Sequence, residues 1–182
     1  MTQPRLETDR LLLRPIEEGD LLPLHAFWTE PEVRRYLWEG RILSLETVDQ
    51  IIESSRDTFK REGYGLFGLA LKQDVQQLIG FCGNRLFEEG HQIELLYGIH
   101  PHQWGRGLGS EAAREVLRYD FEQCGLEHIV AATDTPNQRS VKVLQRLGMS
   151  FQERREWHGL DTVFYSISKQ EFQQMSEGNW AI

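Results

Sequence analysis

The spacing of apolar residues changes several times along the chain, and each change marks a different kind of element. Residues 6–14 are rich in leucine and close on Pro15, which predicts a strand. Asp20 then stands where a helix cap belongs, ahead of a helix running to about Trp28. Thr29-Glu30-Pro31-Glu32 has capping-box spacing with a proline in the first turn and predicts a second short helix through Leu37. Ser44 opens a longer helix in which Val48, Ile51, Ile52 and Phe59 recur near the helical period, and Gly63 stops it. Beyond Gly63 the period shortens. Residues 64–71, 78–87 and 93–99 are short apolar runs parted by polar turns at 72–77 and 88–92, the pattern of an antiparallel meander.

The helical period returns after residue 109. Ala113, Val116, Leu117 and Phe121 form the buried stripe of a helix over 110–123, closed by Gly125. A strand follows at 128–133, a helix at 137–147 ended by Gly148, and a closing strand pair at 149–156 and 161–167. This order predicts an α/β (α+β) layer whose sheet turns from antiparallel to partly parallel where helices intervene. No repeat, low-complexity tract or linker interrupts it, so one domain over residues 1–182 is expected.

Composition narrows the function more than the fold. The net charge is −8, and the basic residues gather only in pairs such as Arg34-Arg35 and Arg154-Arg155. That argues against a face that tracks nucleic-acid phosphates, though a pocket for a single anionic cofactor remains compatible with it. No segment approaches the ~18 apolar residues of a membrane span. Cys82 and Cys124 lie in apolar stretches without metal-type spacing and read as free thiols of a cytoplasmic protein. The six histidines are scattered, so no metal is expected.

Trp104-Gly105-Arg106-Gly107-Leu108-Gly109-Ser110 runs from a strand into a helix through three alternating glycines. Glycines let successive amides turn toward one point, and a helix start adds unpaired N–H groups and about half a positive charge, so the segment suits an anion. It is not a Walker A loop, since no Gly-Lys-Ser/Thr follows a four-residue gap, and G-x-G-x-G late in the chain is not the dinucleotide fingerprint. A tight strand-to-helix turn with no ligand is the bland alternative.

The segment resembles the pyrophosphate loop of the GNAT acyltransferase superfamily, with Trp104 where Gln or Arg is usual, a variant similar to the RimJ/RimL branch. The resemblance extends to Leu6-Glu7-Thr8-Asp9-Arg10-Leu11-Leu12-Leu13-Arg14-Pro15, to Glu94-Leu95-Leu96-Tyr97-Gly98-Ile99, and to the run from Asn137 through Ser140 to Leu147-Gly148-Met149. It implies a mixed, mostly antiparallel seven-stranded sheet splayed in the middle and flanked by about four helices. It also implies acetyl-CoA as acyl donor, held by Trp104, Gly105, Arg106, Gly107, Leu108, Gly109 and Ser110, with Ile99, His100, Pro101 and Asn137 along the pantetheine.

Direct transfer to an amine requires a proton acceptor for the amine and a donor for the departing sulfur. The resemblance supplies Glu94 as candidate base and Ser140 as candidate sulfur-side donor, because the position that carries Tyr in many superfamily members is Leu144 here. An edge-of-sheet glutamate, a first-turn helix serine and, for Asn137, a plain N-cap are the structural alternatives. The acceptor amine is left open between a peptide N-terminus and a small molecule such as an amino acid, polyamine or antibiotic. A non-catalytic acyl-CoA sensor is the rival function, and monomer and homodimer are both open.

Overall fold

The computed structural model describes residues 4–87 and 91–177, so the expected turn at 88–92 lies mostly outside the described residues. The sheet has eight strands: β1 (Leu6–Glu7), β2 (Leu11–Pro15), β3 (Leu66–Leu71), β4 (Asp74–Leu86), β5 (Ile93–Ile99), β6 (His128–Asp134), β7 (Ser150–Trp157) and β8 (Leu160–Ser168). Their order is β1-β2-β3-β4-β5-β6-β8-β7, and every pairing is antiparallel except β5 with β6.

Among the described residues six α-helices cover the two faces: α1 (Leu21–Thr29), α2 (Pro31–Arg34), α3 (Leu45–Glu62), α4 (Leu108–Glu122), α5 (Gln138–Arg146) and α6 (Lys169–Glu177). On one face Leu24, Phe27 and Trp28 of α1 and Val48 and Ile52 of α3 pack against Leu66 and Phe81. On the other, Ala113, Val116 and Leu117 of α4, Leu144 of α5 and Phe172 of α6 pack against Leu13, Leu69, Ile129 and Ile167. Layering helices on both sides in this way leaves the strand pair β5 and β6 in the middle, with α4 as the crossover between them.

Strand and helix counts both exceed expectation, for local reasons. Residues 6–14 form a hairpin and not one strand, because Thr8 Oγ1 accepts the Leu11 N–H at 2.9 Å and the Thr8 N–H bonds the Leu11 carbonyl at 3.0 Å, closing a tight turn. Asp20 precedes α1 but does not cap it with its side chain. Its carboxylate takes both Arg14 guanidinium nitrogens at 2.7 Å and the Glu17 N–H at 2.9 Å, a charge-assisted set that outcompetes a cap. α2 stops at Arg34 instead of Leu37, because the next residues bond three and not four positions back, the Tyr36 N–H to the Val33 carbonyl at 3.4 Å and the Leu37 N–H to the Arg34 carbonyl at 3.3 Å.

β4 starts four residues early, at Asp74, because the end of its hairpin with β3 is solvent-exposed and carries no apolar alternation to announce it. α6 was not expected at all. Its signal was the pair Ser168 and Glu171, whose Oε2 accepts the Ser168 N–H and hydroxyl at 2.7 Å each, a capping-box spacing. Where start and stop chemistry was strong the expectation matches: Ser44 accepts the Thr47 N–H to open α3, and Gly63 closes it at φ 83°.

Candidate active site

β5 and β6 pair at only two positions, Ile93 with Ile129 and Glu94 with Val130, and then part. A cleft of about 950 Å³ occupies the fork, with Tyr97 and Gly98 on the β5 side and Ala132 and Thr133 on the β6 side. Both the glycine loop, which follows β5, and Asn137, which follows β6, line it. Backbone polar groups of β5 beyond Glu94 that point away from β4 therefore face the cleft and not a neighbouring strand.

The loop has the backbone an anion site needs. Gly105 and Gly107 adopt φ of 77° and 76°, a region closed to most side chains, and Gly107 is the N-cap of α4. The first amides of α4 have no acceptor within the helix, and the helix dipole adds positive potential there. Ser110 also lines the cleft, while its Oγ is buried from solvent and has no hydrogen-bond partner. Gly109 plays a different part. It lies inside α4 with ordinary dihedrals, and a Cβ there would meet Ile99 Cγ1 at 3.6 Å, so it serves close helix–strand approach.

Trp104 anchors the loop by donating its indole N–H to the Ile99 carbonyl at 2.6 Å. The Arg139 guanidinium lies over its ring at 4.3 Å, which places a cation from the first turn of α5 beside the loop.

Two polar pairs stand at the fork. Glu94 is 4% exposed, and its Oε2 accepts from Arg85 Nε at 2.8 Å; strand register brings them together, since Arg85 and Glu94 are paired across β4 and β5. The Arg85 guanidinium also lies 5.3 Å from the centre of the Trp38 ring. Three residues along, on the other face of β5, the Tyr97 hydroxyl is 2.7 Å from Ser140 Oγ and 3.2 Å from the Ser140 carbonyl. Burial raises the Tyr97 phenol above its ordinary range, so it stays protonated. Asn137 is the N-cap of α5, its Oδ1 accepting the Ser140 N–H at 3.3 Å, and this bond fixes the helix turn that presents Ser140.

A family model described as an acetyltransferase (GNAT) domain matches residues 10–150, and this span contains the loop, the fork and both polar pairs. The chain belongs to the GNAT acetyltransferase family. It is 28% identical over 176 residues to the N-acetyltransferase p20 of Bacillus licheniformis, covering 92% of this chain and 97% of that one. It is 32% identical over 146 residues to the N-acetyltransferase YoaA of Bacillus subtilis, covering 80% and 82%. Among solved structures, RimL, the ribosomal L7/L12 alpha-N-protein acetyltransferase in complex with coenzyme A, superposes with a TM-score of 0.75 at 16% identity, covering 91% of this chain and 98% of that one, a likeness of fold.

Within this GNAT fold the expected site residues divide. Glu94, Ile99, Trp104, Gly105, Gly107, Leu108, Gly109, Ser110, Asn137 and Ser140 all line the cleft. His100, Pro101 and Arg106 do not. The His100 N–H bonds the Ile79 carbonyl at 2.8 Å, and the His100 and Pro101 carbonyls accept from Gln103 and Trp104, so each of these backbone groups already has one partner. The His100 ring stacks on Phe27 and lies 3.3 Å from Glu30, away from the fork. Arg106 turns its guanidinium to Gln103.

Tyr97 and Arg85 were missed as functional side chains. Both had a signal: Tyr97 belongs to the same strand motif as Glu94, and antiparallel register alone puts Arg85 opposite Glu94. Among the described residues no three His, Cys, Asp or Glu side chains gather as a metal site requires, and no helix is long and apolar enough to cross a membrane.

Proposed function

We propose that this N-acetyltransferase transfers the acetyl group of acetyl-CoA directly to a primary amine at the β5–β6 fork, the described residues working as one catalytic domain. The observation that carries this reading is the separation of β5 from β6 immediately beyond Glu94. It opens a slot between one strand bearing a carboxylate and a phenol and one helix bearing a serine.

In this reading the amides of residues 107–110 hold the pyrophosphate, with Arg139 beside them. The unpaired edge of β5 holds the pantetheine in the manner of an added strand. The amine nitrogen bonds the acetyl carbon and the carbon–sulfur bond breaks. The amine proton leaves through water toward Glu94, whose carboxylate Arg85 orients. The departing thiolate is met by a hydrogen bond from Ser140 Oγ, which Tyr97 orients through the 2.7 Å contact, and takes its proton from water.

The acceptor we favour is a peptide or protein α-amine. Freeing an α-amine at pH 7 costs about 1 kcal/mol, against about 4 to 5 for an ordinary lysine side chain, and the lower figure suits a site whose one candidate base is already ion-paired. RimL, an alpha-N-protein acetyltransferase of similar fold, points the same way. A screen of CoA thiol release with free-N-terminus peptides, amino acids, polyamines and aminoglycosides tests the reading. Release with α-amine peptides supports it, and CoA binding without release for any amine replaces it with a sensor function.

A further inference from the structure

The turn Thr8-Asp9-Arg10 between β1 and β2 takes no part in the chemistry above, yet it is bonded to the anion loop and to α4. Thr8 Oγ1 donates to Glu111 Oε1 at 2.5 Å, and the Arg10 N–H donates to the same oxygen at 3.0 Å. Arg10 Nε donates to Glu111 Oε2 at 2.7 Å, with Nη2 at 2.5 Å. The remaining arm of the guanidinium, Nη1, donates to the Arg106 carbonyl at 2.9 Å. Glu111 is mostly buried, and although burial alone would raise its pKa, the bonds from Thr8 and Arg10 hold it below the usual carboxylate range. Arg10 itself does not line the cleft.

The Arg106 carbonyl is the group that matters. It belongs to the peptide between Arg106 and Gly107, and in a trans peptide the C=O and the following N–H point in opposite directions. Pulling that carbonyl outward to Arg10 turns the Gly107 N–H the other way, on a residue that lines the cleft. This plane is set on one side by Gly107, at a left-handed φ of 76°, and glycine leaves such a plane free to rotate unless something outside holds it. Glu111, whose own N–H bonds the Gly107 carbonyl at 3.1 Å, locks Arg10 in place with a two-pronged carboxylate.

We propose that Arg10, braced by Thr8 and Glu111, is a positioning residue that aims the Gly107 amide at the CoA pyrophosphate. The proposal rests on the reading of the loop given under Proposed function. It requires the planar fork of a guanidinium, whose Nε and Nη2 pair with the carboxylate while Nη1 reaches the carbonyl; the compact ammonium of lysine has no such fork.

Calorimetric titration of wild type, Arg10→Lys and Arg10→Gln with CoA, alongside ligand-observed NMR titration with pantetheine, which lacks the pyrophosphate and nucleotide, tests it. CoA affinity falls about tenfold in both variants while pantetheine affinity is unchanged. Wild-type CoA affinity in Arg10→Lys overturns the proposal, because charge without the fork then suffices. Equal losses for CoA and pantetheine overturn it too, in favour of a merely structural clamp. Should Arg10→Gln fail to fold, Thr8→Val keeps the guanidinium, removes one bond to Glu111 and weakens CoA about threefold with pantetheine unchanged; no change for CoA counts against the proposal. If wild type binds CoA no more tightly than pantetheine, the loop reading itself fails and takes this proposal with it.

Discussion

The hydroxyls of Tyr97 and Ser140 meet at 2.7 Å, joining a residue of β5 to one on the first turn of α5 at the wall of the fork. The phenol has one proton to give. If it goes to Ser140 Oγ, the serine's own proton is released toward the cleft; if it goes to the Ser140 carbonyl at 3.2 Å, the serine donates to the phenol instead. A departing thiolate favours the first arrangement. Tyr97→Phe and Ser140→Ala should each lower kcat by roughly 10²-fold, the low end of what a positioned proton donor contributes, and the double variant should be little worse than either. Steady-state rates at saturating acetyl-CoA and amine decide this. Multiplying losses in the double variant mean that the two hydroxyls do not act as a unit.

Glu94 makes a prediction about pH. If its carboxylate draws the amine proton through water, Glu94→Gln loses about tenfold in rate near pH 6.5 and much less near pH 9, where solvent takes over deprotonation. A rate–pH profile of the variant against wild type gives the answer. A constant loss factor at every pH would reduce Glu94 to a structural partner of Arg85.

Gly107 and Gly109 separate by backbone and not by sequence. Gly107→Val forces a branched side chain into φ 76° and should weaken CoA binding tenfold or more. Gly109→Ala places its methyl at ordinary contact distance from Ile99 and should bind CoA within about threefold of wild type. Titration of both variants with CoA checks the contrast.

Asp120, fully buried on α4, accepts from Asn84 Nδ2 at 2.5 Å, while Oδ1 of each residue has no partner. Burial pushes its carboxyl up to about 7, against the pull of the Asn84 bond, and a proton on it supplies the missing donor. The folded state therefore binds this proton more tightly than the unfolded chain. Its stabilising effect is complete below about pH 4 and is lost as pH rises through about 7. Asp120→Asn, neutral throughout and able to donate to Asn84, should raise stability by about 4 kcal/mol at pH 8.5, with a smaller gain at pH 5 that vanishes only below about pH 4. Thermal melts at the two pH values test this; a gain that does not depend on pH rules out the buried charge as its cause.

Legibility in the sequence followed the strength of local chemistry. α3 could be placed because Ser44 and Gly63 bracket a clear helical period, and Asn137 could be named an N-cap because it follows Thr135-Pro136. The glycine loop was legible as a tight turn into α4 because its alternating glycines permit the left-handed backbone found at Gly105 and Gly107. What escaped depends on contacts between distant segments. Nothing near Glu94 says that it is buried, since that follows from register with Arg85; nothing near Tyr97 says that it reaches Ser140, 43 residues on. Strand phase alone could not orient Glu94, and the hydrogen bonds that close the turn at His100 and Pro101 were not visible in the sequence.

The central claim is that the β5–β6 fork holds the acetyl donor with its sulfur at Ser140 and its pyrophosphate on the loop. The most direct test is a crystal structure of the protein with CoA. The account predicts pyrophosphate oxygens bonded to amides of residues 107–110, pantetheine running along β5 beyond Glu94, and the thiol within hydrogen-bond reach of Ser140 Oγ. CoA bound outside the fork, or lying in it with the sulfur turned away from both Ser140 and Glu94, would contradict it.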